Sequence, residues 1–156
     1  YIYNNKILKK SVLWILDRVV IASALGAVFI RVGNFFNSEM IGKPSEEGFP
    51  LAVIFRQLDI IPRHPGQLYE AFGYVFVFLT LFFLYWKTKK SMQTGFLFGL
   101  FLVLLMSVRV IVEQFKIAQI DSREDWILGL NTGQVLSIPF VLCGLYFMFL
   151  YKPKTN

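Results

Sequence analysis

Four apolar segments restrict what this 156-residue sequence can fold into; they cover about 12–32, 68–86, 93–115 and 133–151. Each approaches the roughly 20 residues that an α-helix needs to cross a bilayer. The hydrocarbon core cannot hydrogen-bond free backbone groups, so the segments must be helices, since the sequence has too few strand-like alternations for a barrel. Hydrophobic residues make up 56% of the chain, above the usual share in soluble domains. The sequence predicts an all-α, polytopic integral membrane protein with about four transmembrane helices.

The basic residues indicate the orientation of these helices. Lysines lie before the first segment, in the connection between the second and third segments and at the end of the chain; they are Lys6, Lys9, Lys10, Lys87, Lys89, Lys90, Lys152 and Lys154. Lysine and arginine are enriched in short cytoplasmic loops, so both termini of this chain are expected in the cytoplasm. The formal net charge of +6 is not gathered on one basic face, which argues against a nucleic-acid partner.

The chain reads as a single membrane domain over residues 1–156, with a long outer loop of about 33–66. That loop contains an apolar stretch with interspersed charges, FPLAVIFRQLDIIP, which could lie in the membrane interface as a strand or a short helix. Loops of this length are often functional. The first residue is Tyr1 and not methionine, so we expect the chain to be part of a longer protein.

Charged residues near the end of the third segment are the first candidates for function. Arg109 and Glu113 are four residues apart, so they share a helix face with Lys116. Charges inside a membrane are expensive and usually face a partner or a cavity. Two interpretations remain open at this point, an ion pair that locks helices together and a polar cavity for an anionic substrate group.

A second polar group follows the first apolar segment, at Arg31, Asn34, Asn37 and Glu39. A guanidinium suits phosphate oxygens, so an arginine at headgroup depth could bind a phospholipid. Snorkelling to the interface would explain Arg31 alone. It does not explain the two asparagines at helical spacing beside it.

The stretch RHPGQLYE before the second helix contains the only histidine, His64. It could act as a base near neutral pH, or it could position the loop through a hydrogen bond. Gln67 and Glu70 fall near the first helical turn, where they favour the helix dipole and could serve only as caps.

Three further features have mainly structural interpretations. Asp17 and Arg18 are expected near the inner interface as positioning charges. The single cysteine, Cys143, is expected to be a small buried residue. The stretch GFLFG, Gly95 to Gly99, matches the pattern of small residues that permits close helix packing.

The candidate functional residues named above lie in RVGNFFNSEMIG, RHPGQLYE and RVIVEQFK, and a fourth stretch, LNTGQVLSIPF, leads into the last apolar segment. Together these four stretches resemble the prolipoprotein diacylglyceryl transferase family, the bacterial membrane enzymes that lipidate lipoprotein precursors. RVGNFFNSEMIG, from Arg31 to Gly42, is similar to the family motif R-x-G-N-F-x-N-x-E-x-x-G. RHPGQLYE resembles R-H-P-S-Q-L-Y-E, with Gly66 in place of serine. RVIVEQFK resembles R-F-x-V-E-F-F-R, with Lys116 in place of the last arginine, and LNTGQVLSIPF resembles M-G-Q-x-L-S-I-P.

The resemblance implies that this chain corresponds to the C-terminal portion of a fold that usually has seven membrane helices. About three helices would then precede it. With them would come a family motif containing His-Gly-Gly, whose histidine is commonly given the role of general base. His64 belongs to a different motif and is not a substitute for that residue.

The resemblance also implies a chemistry and its residues. The cysteine thiolate of a prolipoprotein signal peptide, at its lipobox, attacks phosphatidylglycerol, and no metal or cofactor is implied. Arg31 and Arg109 would hold the phosphate, Asn34 and Asn37 would donate to headgroup oxygens, and Glu39 and Glu113 would orient the arginines. The catalytic set is Arg31, Glu39, Arg109 and Glu113; the substrate-binding set is Arg31, Asn34, Asn37, Gly42, His64, Gln67, Tyr69, Glu70 and Lys116.

Two alternatives compete with this interpretation. The chain could be a catalytically incomplete fragment that lacks the base. It could also be a transporter or channel subunit whose intramembrane charges line a substrate path, although it has no evident internal repeat.

Overall fold

A computed structural model describes residues 10–46, 48–117 and 130–151. The four long helices, α1 to α4, are Val12–Phe36, Gly66–Lys87, Phe96–Val112 and Thr132–Leu145. α3 continues into a 3-10 turn, Glu113–Phe115, and α4 into a π-helical turn, Tyr146–Leu150. With these turns, all four helices are long and apolar enough to cross a membrane. The predicted all-α, polytopic membrane fold is confirmed.

The bundle has two chemically different ends. We call the end where α1 and α3 finish and α2 and α4 begin the polar end. At the opposite, lysine end, Lys10 precedes α1, and Lys87, Lys89 and Lys90 lie at the turn between α2 and α3. The other lysines used to predict orientation, Lys6, Lys9, Lys152 and Lys154, lie outside the described residues.

α1 extends to Phe36, about one turn past the end that its apolar run indicated near residue 32. Helical hydrogen bonding continues through this turn, since the backbone N–H of Asn37 donates to the Gly33 carbonyl at 3.0 Å. Arg31 and Asn34 therefore project from a regular helix, whose rigidity fixes their direction.

The apolar core lies between α1, α2 and α3; it contains Val20, Ala24, Val77, Leu81, Phe96 and Leu97. α4 joins α3 where two glycines meet, because a Cβ on Gly99 would lie 2.5 Å from the Gly144 carbonyl oxygen. The predicted close packing is thus found at Gly99. Gly95 has a different role, in the turn before α3, where its φ of +91° favours glycine.

Asp17 is buried at the lysine end, with 1% of its surface exposed. Its carboxylate accepts hydrogen bonds from the backbone N–H groups of Gly95, at 2.7 Å, and Phe98, at 2.9 Å. These donors belong to the start of α3, whose own N-cap glycine has no side chain to offer. Asp17 is therefore a cap supplied by a neighbouring helix, and its role is to position the start of α3.

Much of the outward surface of the bundle is apolar and exposed; Phe29 is 67% and Phe72 is 80% exposed. Such faces suit contact with lipid, where burial against protein is not required. Cys143 belongs to this exposed surface, so the prediction that it is buried was wrong. In hydrocarbon a small, weakly polar side chain is tolerated on the lipid-facing side of a helix.

Candidate functional site

The connection between α1 and α2 folds against the polar end. It contains a short antiparallel hairpin, β1 (Val53–Ile54) and β2 (Pro62–Arg63). The other side of β2 is bonded to the preceding chain, since the Ser45 N–H donates to the Pro62 carbonyl at 2.9 Å. That same chain segment contacts the end of α3, where the Lys43 N–H donates to the Phe115 carbonyl at 2.8 Å. The loop is therefore tied to two of the helices that carry the charged residues.

A buried carboxylate, Glu70 in α2, is the centre of the site. Its side chain has no exposed surface, and each of its two oxygens forms a salt bridge with a cation from another segment. The Arg31 Nε of α1 lies 2.8 Å from one oxygen, and the Lys116 Nζ beyond α3 lies 2.9 Å from the other. The same ammonium is 3.6 Å from the Glu113 carboxylate. We call these four residues the Glu70 cluster.

The Glu70 cluster balances two anions with two cations, so its net charge is zero. Arg109 lies one helical turn before Glu113 on the same face of α3, yet it makes no ion pair within the described part of the chain. Its Nε is buried and has no hydrogen-bond partner among the described residues. With no carboxylate paired to it in this part of the chain, the guanidinium can bind an anion at membrane depth without first breaking an ion pair there.

Asn34 contacts Arg31 directly. In the amide orientation that satisfies both of its polar atoms, its oxygen accepts from Arg31 Nη1 at 3.3 Å and its nitrogen donates to the Ile30 carbonyl at 3.0 Å. Arg31 is thus held by Glu70 through Nε and by Asn34 through Nη1. Tyr74 of α2 also interacts with this guanidinium, and the N–H groups left by these three partners are available to a ligand.

The turn after α1 is backbone-strained and anchored to α2. Ser38 and Met40, on either side of Glu39, both have a φ of +57°, which is uncommon for residues with a side chain. The Gln67 amide, which is completely buried, donates to the Glu39 carbonyl. The side chains of Asn37 and Glu39 are exposed. Gln67 therefore fixes the turn, and does not cap its own helix.

Gly42 lies where the loop crosses the end of α3. A Cβ at this position would be 2.0 Å from the His64 carbonyl oxygen and 2.9 Å from that of Phe115. Both neighbours are backbone atoms and cannot turn aside as a flexible side chain can. The geometry gives Gly42 a packing function, and nothing in it requires contact with a substrate.

We expect Gly42→Ala to destabilise the protein by about 1–3 kcal/mol, the range for overpacking a filled interior. Thermal unfolding in detergent measures the loss. Gly33→Ala is the matched control, because no atom lies within 4 Å of a Cβ added there, and its melting temperature should not fall. Equal melting temperatures for both variants would contradict the close approach seen at Gly42.

His64 lies in an aromatic cluster above the polar end. Its Nδ1 is 3.2 Å from the Tyr69 hydroxyl, and its ring centroid is 4.8 Å from that of Phe49 and 5.4 Å from that of Phe115. These contacts connect the loop, α2 and the end of α3. They favour the loop-positioning interpretation of His64 over the alternative of a base.

Arg63, the first residue of RHPGQLYE, is buried, and no role of its own was predicted for it from the sequence. It pairs with Asp59 and also donates from Nη1 to the Gly42 carbonyl at 3.4 Å. The hydrogen bond from Arg63 lowers the pKa of the Asp59 carboxyl below its usual value of 3.8. Because the pKa is lowered in the folded state, the stabilisation from this pair is present above pH 3.8 and is lost as the pH falls further.

The start of α4, within LNTGQVLSIPF, packs against the end of α3, and no individual roles for its residues were predicted from the sequence. Asn131 and Gln134 form a reciprocal capping box, and Gln134 also donates to the Val110 carbonyl of α3 at 3.2 Å. A Cβ on Gly133 would lie 2.5 Å from the Glu113 carboxylate, so glycine lets that group approach the helix N-terminus. The sequence N-T-G-Q after a polar loop was the available signal for this cap.

The structure thus brings together Arg31, Glu70, Glu113 and Lys116, with Arg109 one helical turn before Glu113 on the same face of α3. The side chains of Asn37 and Glu39 are exposed. The expected pairing of Glu39 and Glu113 with the arginines is absent from the described residues. Glu70 takes that role for Arg31, because α2 packs between α1 and α3, and Glu113 pairs with Lys116.

Comparison with known proteins agrees with the motifs. Residues 1–150 match the family described as prolipoprotein diacylglyceryl transferase. Among curated relatives, each named phosphatidylglycerol–prolipoprotein diacylglyceryl transferase, the protein of Tolumonas auensis is 47% identical over 88% of this chain and 52% of its own length. That of Bacteroides fragilis is 43% identical over 91% of this chain and 50% of its own. That of Chloroherpeton thalassium is 42% identical over 96% and 54%.

The chain therefore spans about half the length of these curated relatives. Their names are those of transferases, so the comparisons do not favour the transporter alternative.

Proposed function

The chain belongs to the prolipoprotein diacylglyceryl transferase family, and from this premise we propose that it takes part in lipidating lipoprotein precursors. The reaction transfers the diacylglyceryl group of phosphatidylglycerol to the lipobox cysteine of a prolipoprotein signal peptide. The chain supplies the part of the site that binds the lipid headgroup.

The chemical step is a displacement at carbon. The cysteine sulfur, as a thiolate, attacks the diacylglycerol carbon that carries the phosphate ester. A carbon–sulfur bond forms, the carbon–oxygen bond breaks, and its electron pair leaves on the phosphate oxygen of glycerol phosphate. The thiol proton goes to a general base, a role that the family resemblance gives to a histidine of the His-Gly-Gly motif. The displacement needs no oxidant, reductant or cofactor, because no atom changes its oxidation state overall.

The arrangement of Arg109 supports the proposal most directly. A departing phosphate gains negative charge in the transition state, and a preorganised cation in a site of low dielectric stabilises that charge strongly. Arg109 has no anionic partner within the described part of the chain, whereas Arg31 is partly occupied by Glu70. Arg109 is therefore proposed as the principal phosphate ligand, with the free N–H groups of Arg31 as the second.

The other site residues have supporting roles in this proposal. Glu70 and Lys116 hold Arg31 and the end of α3 in place, and Asn34 orients Arg31. Gly42 and His64, in the loop that covers the polar end, and Gln67 and Tyr69, in α2, hold that loop in place. Asn37 and Glu39, whose side chains are exposed, are placed to meet the headgroup glycerol or the arriving peptide.

The proposed setting is the bacterial inner membrane, with the polar end facing outward and the lysine end in the cytoplasm. The described lysines at one end of the bundle support this orientation. Phosphatidylglycerol then reaches the site from the outer leaflet, where the signal peptide also presents its cysteine.

The test is a transfer assay with full-length protein in liposomes of phosphatidylglycerol whose headgroup glycerol is isotopically labelled, together with a lipobox signal peptide. We expect a peptide that is heavier by one diacylglyceryl group, and one labelled glycerol phosphate for each peptide modified. The same peptide with serine at the lipobox cysteine should stay unmodified. Glycerol phosphate release without peptide modification would indicate a phospholipase and contradict the proposal.

A further inference from the structure

An apolar cavity of about 390 Å³ lies beside the site, between the loop and the start of α2. The loop contributes four consecutive residues, Pro50 to Val53, and α2 contributes Leu68 and Tyr69. Tyr69 is the polar exception, and its hydroxyl is already bonded to His64. The space thus offers apolar contact with few free polar groups.

Val53, which lines this cavity, is the first residue of β1, a strand with a free edge. β1 pairs with β2 through Val53–Arg63 and Ile54–Pro62, and β2 is flanked on its other side through a bridge between Pro44 and Arg63. Within the described residues no strand lies on the other edge of β1. An unpaired strand edge beside an apolar pocket can accept an extended peptide, whose backbone pairs with the edge while a side chain fills the pocket.

The cavity is close to the charged residues of the site. Tyr69 lines it, and Glu70, the next residue of α2, centres the Glu70 cluster. Neighbouring helical residues point about 100° apart, so the cavity and the buried Glu70 carboxylate lie on adjacent faces of one helical turn. A single bound peptide can therefore reach both.

We propose that this cavity and the free edge of β1 bind the apolar segment of the signal peptide next to its cysteine. The inference rests on the proposed function and adds the location of its second substrate. Signal peptides carry an apolar segment of 7–15 residues followed by small residues. Docking that segment against β1 brings the cysteine sulfur over the neighbouring Glu70 cluster and Arg109, where the lipid phosphate is held.

A peptide suits the cavity better than a lipid chain does. The wall residues 50–53 belong to the loop, outside the membrane-spanning helices, whereas acyl chains occupy the hydrocarbon layer below. The strand edge also offers backbone hydrogen bonds, which an acyl chain cannot use and an extended peptide can.

The test is to fill the cavity. Ala52→Trp adds a large ring to a half-buried wall residue, and we expect it to raise the KM for the signal peptide about tenfold or more, with kcat and the KM for phosphatidylglycerol little changed. Ile60→Ser is the matched control, because Ile60 is on the same loop, 85% exposed and outside the cavity; both KM values should stay at the wild-type level. A raised KM for the lipid, or no change in either KM, would overturn the proposal.

A second readout keeps the inference separate from the proposed function. A photoreactive amino acid at Leu51, which is 59% exposed, should crosslink the signal peptide, and Ala52→Trp should abolish the crosslink. If the wild-type protein shows no transfer but crosslinks the peptide in this way, the proposed transfer reaction is rejected and the proposed peptide-binding site is kept. Transfer without any crosslink from this position would reject the binding site alone.

Discussion

Arg109→Gln is expected to lower kcat/KM for diacylglyceryl transfer by about 10²–10³-fold, the range seen when one preorganised group that stabilises a developing anion is removed. Glutamine keeps a hydrogen-bond donor but not the positive charge. Arg109 forms no ion pair within the described residues, so its loss leaves no carboxylate unpaired there, and the protein should keep its fold. Steady-state transfer kinetics and thermal unfolding on the same preparation measure both effects.

Arg56→Gln is the control for this variant. Arg56 is an exposed arginine on the outer loop, so its replacement changes the net charge equally without touching the site. Its activity should equal that of the wild type. Activity of Arg109→Gln within about threefold of the wild type would show that Arg109 does not hold the phosphate.

Glu70→Gln is expected to destabilise the protein by about 3–5 kcal/mol, because removing one member of a buried ion network leaves its partners uncompensated. Both Arg31 and Lys116 lose their nearest anion, at 2.8 and 2.9 Å. These contacts join α1, α2 and the end of α3, so the loss should appear as a lower unfolding temperature of the whole bundle. Glu46→Gln, at an exposed loop carboxylate, should melt as the wild type does.

A double variant distinguishes the ion network from a general packing defect. Lys116 contacts Glu70 at 2.9 Å and also Glu113 at 3.6 Å. Lys116→Met should therefore cost less stability in the Glu70→Gln background than in the wild type, because only the wild type loses the contact with Glu70. Equal losses in the two backgrounds would show that Glu70 and Lys116 do not interact.

The membrane fold could be predicted from the sequence because hydrocarbon allows few backbone solutions. Twenty apolar residues in a bilayer must form a helix, and this reasoning located all four. The end of α1 was harder to predict, because the polar residues after position 32 are typical of a loop. In the structure the helical backbone hydrogen bonds continue to Asn37. Asp17 was harder still, because its function as a cap depends on which helix start lies beside it in space.

The four residues of the Glu70 cluster were all singled out from the sequence, but their contacts were not. Arg31, Arg109 and Glu113 were identified because each is a charged residue at membrane depth. Burying a charge there costs free energy, so such residues usually have a partner or a function. Which carboxylate pairs with which cation depends on how α1, α2 and α3 pack, and no spacing along one helix contains that information. Glu70 therefore read as a first-turn residue of α2, whereas in three dimensions it connects two other segments. The roles of Arg63 and Gln134 were not predicted for the same reason, since both act on backbone carbonyls distant in sequence.

The most direct test of the account is to measure whether the lipid phosphate lies at the intramembrane arginines. Solid-state NMR can detect dipolar coupling between the ³¹P of phosphatidylglycerol and ¹⁵N-labelled arginine side chains, in bilayers without peptide. We predict a nitrogen–phosphorus distance of about 4 Å or less, as in a charge-assisted hydrogen bond, and loss of most of this coupling in Arg109→Gln. Coupling that is absent from the wild type, or that survives unchanged in both Arg31→Gln and Arg109→Gln, would contradict a headgroup site at the polar end.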